Sequence, residues 1–146
     1  MNNTILLIDD NMLDNAIVKN CLYDERYSII SAVNGLEALE LIESRNVDLI
    51  LLDIIMPIMD GYGFLGEFSK TLYHAEIPVI VATNLDDPES IEKTLKFDIF
   101  DYIVKPFDDT HRLIFINKVK TAIRYRNALL DLKRASKLIK RLSSNT

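Results

Sequence analysis

The sequence predicts an α/β domain built as a three-layer sandwich, with helices on both faces of a parallel sheet. Three observations point to it. Apolar runs of strand length alternate with stretches of helical period. The runs are continuous, as in strands covered on both faces, rather than alternating with polar residues. Five strand-and-helix repeats fit within about 125 residues, and their crossovers should be right-handed. The whole chain, at 146 residues, has the size of one domain.

Ile5-Leu6-Leu7-Ile8 is the first strand, and a helical stripe of Leu13, Ala16, Ile17, Cys21 and Leu22 follows it. Ser28 to Val33 forms the second, before a helix carrying Leu36, Leu39, Leu41 and Ile42. Val47 to Leu52 is the third, followed by a helix from Tyr62 to Leu72. Ile77 to Ala82 is the fourth, and the turn-like Asp86-Asp87-Pro88 opens a helix to Phe97, with Pro88 suited to a first helical turn. Tyr102-Ile103-Val104 is a short fifth strand.

The last helix differs in kind. From about Thr110 to Leu142 it contains neither Gly nor Pro, enough for a rod of ~50 Å. Ala122, Tyr125, Leu129, Leu132, Ser136 and Ile139 follow a heptad-like 3-4 spacing, interrupted by Ser136. Residues 1–123 are therefore expected to form the domain. Residues 124–146 are expected to form a helical extension, a coiled-coil linker or dimerisation segment, whose Ser143-Ser144-Asn145-Thr146 end reads as a frayed end or a truncated linker.

Charge divides along the same boundary. The formal net charge is −5, but from Lys118 onward there are nine basic residues and one acidic, a net of +8, leaving −13 on the first 117. The overall acidity argues against a whole-domain nucleic-acid binder. The basic tail could meet nucleic acid or anionic lipid, but the seam favours a coiled coil with a solvated basic face. No helix-turn-helix pattern follows, so direct nucleic-acid binding is not expected. A single cysteine, Cys21, allows no internal disulfide and suits the cytoplasm; on its helical stripe it reads as core packing. The first apolar run is too short for a signal peptide or membrane span. His74 and His111 lack metal-ligand spacing and read as surface residues.

Chemistry-bearing residues gather at strand ends. Asp9 and Asp10 follow the first strand, Asp53 the third, Thr83 the fourth and Lys105 the fifth. In a doubly wound sheet of order 2-1-3-4-5, ligands bind beyond the carboxyl ends of strands one and three, where strand order reverses. Three carboxylates converging there need a cation, and their oxygen donors suit Mg²⁺. The plain alternative is that Asp9 or Asp10 caps the first helix. A hydroxyl and an ammonium beside an acidic metal site make sense when a phosphoryl group arrives, because its oxygens need donors and counter-charge.

Ile8-Asp9-Asp10, Asn34 to Leu39, Leu51 to Gly61 with Asp53 and Met56-Pro57, Ala82-Thr83 and Asp101 to Phe107 with Lys105-Pro106 stand in a specific order. In these pieces the chain, from residue 4 to about 123, resembles the receiver domains of two-component response regulators. The resemblance implies a CheY-like, flavodoxin-like fold with strand order 2-1-3-4-5. It implies that Asp53 accepts a phosphoryl group from a sensor histidine kinase or phosphotransfer protein. Asp9, Asp10 and Asp53 would hold Mg²⁺ with the Ile55 backbone carbonyl, and Lys105 would pair with the acceptor, often through a cis bond to Pro106. Thr83 and Tyr102 would form the switch that alters the surface of the fourth helix, fifth strand and fifth helix. Such a protein is a signalling receiver that catalyses only its own phosphorylation and dephosphorylation. A homodimer could form through that surface or through the C-terminal helix.

The sequence departs from the family pattern at Asn84, where a small residue is usual, and at Asp98-Ile99, where Gly-Ala is usual. Ile55 and Leu85, two residues past Asp53 and Thr83, are apolar, so attack by water on the acyl phosphate should be hindered and its lifetime long. A haloacid-dehalogenase-type phosphatase needs a second Asp two residues after the nucleophile, but Ile55 and Asn11 occupy those positions. A nucleotide-binding Rossmann domain needs glycines after the first strand, and Asp9 to Met12 contains none. The remaining alternative is a phosphorylation-independent interaction module on the same scaffold. The chain is expected to be a stand-alone receiver or the N-terminal piece of a longer regulator.

Overall fold

The computed structural model describes residues 2–105 and 107–145. The Lys105–Pro106 bond and Thr146 lie outside the described residues. Strands β1 (Thr4–Ile8), β2 (Ser28–Ala32), β3 (Leu49–Leu52), β4 (Val79–Thr83) and β5 (Asp101–Val104) form one sheet in the order β2-β1-β3-β4-β5. Every pairing is parallel. Helices α1 (Met12–Cys21), α2 (Gly35–Ser44), α3 (Gly61–Phe68), α4 (Pro88–Leu95) and α5 (Asp109–Ser144) connect or follow them. The sandwich and strand order match the expectation.

Two cores flank the sheet because successive side chains of a strand point to opposite faces. Leu6, Ile8, Ile50 and Leu52 pack on one side with Ala38 and Ile42 of α2 and Phe64 and Phe68 of α3. Ile5, Leu7, Leu49 and Leu51 pack on the other with Val18 and Cys21 of α1 and Phe115, Val119 and Ala122 of α5. The sheet is thus apolar on both faces, which is why its strands read as unbroken apolar runs.

Each helix begins with an Asn or Asp whose side-chain oxygen accepts the backbone N–H three residues on. Asn11 caps α1 through Asp14 N at 3.0 Å, and Asn34 caps α2 through Glu37 N at 2.9 Å. Asp60, Asp87 and Asp108 do the same for α3, α4 and α5. A cap of this kind contributes about 1 kcal/mol. The first assignment decides an open question: Asn11 caps α1, so neither Asp9 nor Asp10 is needed there.

The buried face of α1 differs from the expected stripe. Val18 and Cys21, with Leu22 just beyond, turn inward, whereas Leu13 and Ile17 are exposed. Packing of Val18, Cys21 and Leu22 into the core leaves that apolar pair on the outer side. His74 is half-buried rather than on the surface, edge-on to the Phe68 ring and 3.6 Å from Asp98. His111 is exposed, against its capping Asp108. At Asp98-Ile99 the unusual residues meet no strain: among the described residues only Arg26 and Ile58, both outside this turn, have positive φ outside glycine.

Helix α5 spans 36 residues, and 131–145 are exposed throughout. Before that point it is tied to the amino-terminal edge of the sheet. Tyr125 packs on Phe100, and the Arg126 guanidinium donates to Asp48 at 3.3 Å and to the Glu76 carbonyl at 2.9 Å. Further on, within the exposed stretch, Lys133 still pairs with Glu76. The extension therefore leaves the domain as a continuation of a docked helix.

Candidate functional site

The ladder bonds run past the strand ends and carry the chemistry with them. Asp9 N donates to Ala32 O, Asp53 N to Ile8 O, and Lys105 N to Thr83 O, at 3.0, 2.9 and 2.8 Å. Asp9 and Asp53 thus sit side by side at the carboxyl edge of β1 and β3, the point where strand order reverses. Both are buried, as are Thr83 and Lys105.

Lys105 reaches into the middle of the group. Its Nζ lies 2.6 Å from Asp9 Oδ2, 3.0 Å from Asp14 Oδ2 and 3.5 Å from Asp53 Oδ2. Burial alone would lower the affinity of the ammonium for its proton, but the bonds to Asp9 and the charge of Asp53 outweigh it and hold the Lys105 pKa above its ordinary value. For Asp9 burial wins and raises the carboxyl above its usual range, against the pull of Lys105 and of the Asn11 N–H on its Oδ1. Asp53 Oδ1 accepts the Ile54 N–H at 2.7 Å, which leaves Oδ2 facing the lysine.

Of the expected carboxylates, Asp9 and Asp53 come together, whereas Asp10 is exposed and stands outside their cluster. Asp14 joins them instead: carboxylate oxygens of Asp9, Asp14 and Asp53 all lie within 4.8 Å of one another. An acidic residue in a first helical turn ordinarily reads as a complement to the helix dipole, so its sequence position alone did not single it out. These donors are hard, anionic oxygens, and they fit a divalent ion such as Mg²⁺. Ile55, two residues past Asp53, is 61% exposed.

The remaining expected residues form a second chain of contacts. Thr83 Oγ1 accepts a long bond from Leu85 N at 3.4 Å, and the Tyr102 hydroxyl donates to the Leu85 carbonyl at 2.6 Å. Tyr102 is half-buried on β5. Leu85 therefore stands between the hydroxyl at the site and the aromatic ring beside α4.

The loop from β3 to α3 shapes the floor. Gly61 N donates to Ile54 O at 2.7 Å, and a Cβ at Gly61 would stand 2.6 Å from both Asp53 O and Ile54 Cα. Ile58 adopts φ 68° and is 82% exposed. A left-handed backbone costs an L-residue about 1–2 kcal/mol, and a β-branched side chain has no compensating local bond. Replacing Ile58 with glycine relieves that cost but loosens the unfolded chain by about 0.5–1 kcal/mol. Ile58→Gly should therefore gain stability of about 1 kcal/mol, a rise of about 3 °C in melting temperature by calorimetry. A lowered melting temperature would show that the isoleucine side chain contributes more than its backbone costs.

Over residues 5–116 the chain matches the family model of the response regulator receiver domain. It belongs to that family. The receiver is 35% identical over 86% of its length to a protein named "Probable transcriptional regulator ycf27" from Cyanidium caldarium, of which it covers 49%. It is 31% identical over 81% of its length to the chemotaxis protein CheY of Halobacterium salinarum, covering 97% of that protein. A CheY-like receiver from Methanospirillum hungatei superposes with a TM-score of 0.76 at 25% identity, over 88% of this chain and 98% of the other. The receiver thus spans about half the length of the ycf27 relative and nearly all of the CheY relative.

Proposed function

We propose that this receiver is the phosphoacceptor of a two-component phosphorelay, with Asp53 as the nucleophile. The observation that carries the reading is the convergence of Asp53, Asp9 and Lys105 at the β1–β3 edge. A carboxylate oxygen of Asp53 attacks the phosphorus of a phosphohistidine on a sensor kinase or phosphotransfer protein. The P–N bond breaks, and its electron pair returns to the imidazole. By family resemblance Asp9, Asp53, the exposed Asp10 and the Ile55 carbonyl would hold Mg²⁺, which when bound neutralises charge on the transferred oxygens. Lys105 supplies a further positive charge from a buried, fixed position.

The switch runs through Leu85. A phosphoryl oxygen on Asp53 draws the Thr83 hydroxyl toward it and releases the long bond from Leu85 N. The Leu85 carbonyl in turn holds Tyr102, so the ring can turn inward and alter the α4-β5-α5 face. Apolar Ile55 and Leu85 beside the phosphoryl group hinder water and lengthen its lifetime. Signal then passes to a second copy through that face or the α5 extension, where Leu132, Leu138, Ile139 and Leu142 are exposed. In this reading the receiver turns over no separate substrate and works in the cytoplasm; among the described residues no helix is long and apolar enough to cross a membrane.

The test is intact-protein mass spectrometry after incubation with acetyl phosphate. Wild type should gain one phosphoryl group only with Mg²⁺, and Asp53→Asn should gain none. Absence of an adduct from both acetyl phosphate and a phosphohistidine donor would overturn the reading in favour of a phosphorylation-independent interaction module.

A further inference from the structure

Asp14 lies outside the residues that family resemblance gives to Mg²⁺, yet it holds one of the three contacts to the buried ammonium. Its Oδ2 lies 3.0 Å from Lys105 Nζ, nearer than the 3.5 Å to Asp53. The other close partner, Asp9, already has both oxygens engaged: Oδ1 with the Asn11 N–H at 2.9 Å and Oδ2 with Lys105 at 2.6 Å. Each Asp9 oxygen keeps a second lone pair, but a divalent cation drawn to this carboxylate repels the ammonium beside it and weakens its hold on the lysine. A buried ammonium that loses its closest partner needs another, because an unpaired buried charge is costly. Asp14 projects from the first turn of α1, one turn from the Asn11 cap, and its backbone N–H is held by that cap. It can therefore retain the lysine without itself leaving the helix.

We propose that Asp14 is a positioning residue that holds Lys105 in the pocket and so frees Asp9 and Asp53 for the divalent ion and the phosphoryl group. The inference rests on the phosphoacceptor reading and adds a fourth carboxylate to it. Without Asp14, Lys105 falls wholly on Asp9 and Asp53, where it competes with Mg²⁺. The pocket also loses one negative charge that attracts the ion. Both effects weaken Mg²⁺ binding. Neither obstructs transfer once the ion is present, since the anionic donor then meets one negative charge fewer.

The expected result for Asp14→Asn is a split. The Mg²⁺ dissociation constant, measured by titration calorimetry on the full chain, should rise roughly three- to tenfold, the size expected for one unit charge a few ångströms from a divalent ion in a partly solvated site. The rate of phosphorylation by acetyl phosphate at saturating Mg²⁺ should be unchanged or higher. Asp14→Glu should recover part of the affinity, and Glu40→Gln on the exposed side of α2 should change neither quantity. Nitrogen-15 spectra of labelled lysine add a direct readout. The Lys105 ammonium signal should stay protected from solvent exchange when Mg²⁺ is added to wild type, and should exchange faster but remain visible in Asp14→Asn, where Asp53 still holds it. Unchanged Mg²⁺ affinity in Asp14→Asn, or a maximal rate that falls in step with affinity, would overturn the proposal. A wild type that binds no Mg²⁺ would overturn the phosphoacceptor reading and this inference with it.

Discussion

Gly61→Ala is expected to destabilise the receiver by about 2–3 kcal/mol and to slow phosphorylation of Asp53. An added Cβ would meet Asp53 O and Ile54 Cα at 2.6 Å, and both are backbone atoms without a rotamer to yield. Relief requires moving the start of α3 or the Asp53–Ile54 peptide, and overpacking of that kind costs about 1–3 kcal/mol. Moving α3 breaks the 2.7 Å bond from Gly61 N to Ile54 O. Moving the peptide displaces the carboxylate itself. Denaturant unfolding with intact-mass kinetics checks both effects, and a variant with wild-type midpoint and rate would show that the contact relaxes freely. Gly66 provides the comparison: a Cβ there meets nothing within 4 Å, so Gly66→Ala should be neutral or stabilising.

The second large effect concerns Lys105. Its Nζ is the cation among Asp9, Asp14 and Asp53, and its side chain is only 6% exposed. Lys105→Ala leaves buried carboxylates facing one another, and removing one partner of a buried ion pair costs about 3 kcal/mol. The loss should be largest without divalent ion. A ligand at tenfold its dissociation constant stabilises a protein by about 1.4 kcal/mol, and Mg²⁺ should raise the midpoint of Lys105→Ala more than that of wild type because no ammonium competes for Asp9. The same variant should accept phosphoryl groups slowly even at saturating Mg²⁺. Equal Mg²⁺ stabilisation in both proteins would show that the lysine does not compete with the ion.

Most of the fold was legible because the sheet is covered on both faces. Leu49–Leu52 and Val79–Thr83 are buried throughout, so they read as apolar runs broken only by the site residue Thr83. Helix boundaries were less legible. The helix expected from Tyr62 to Leu72 ends at Phe68, after which a short 3-10 turn, Leu72–Ala75, leads toward β4. Periodicity alone does not reveal where packing stops rewarding another helical turn. The stripe on α1 differs for a related reason: Leu13 and Ile17 keep the spacing of a buried face, but the core takes Val18, Cys21 and Leu22 and leaves them outside.

What the sequence determined by itself was the class of fold, the strand order through family resemblance, and the set of strand-end residues that meet at one edge. Those follow from short-range information, since an apolar run, an Asx cap and a residue one step past a strand are each written locally. Only the tertiary structure decided which acidic side chains share the lysine. The sequence pointed to Asp10 and passed over Asp14, yet Asp14 reaches Nζ from the first turn of α1 while Asp10 stays exposed. The register of Lys105 against carboxylates 96 and 91 residues away is set by the β4–β5 pairing and the docking of α1. Such contacts depend on the packing of distant segments, and no local pattern encodes them.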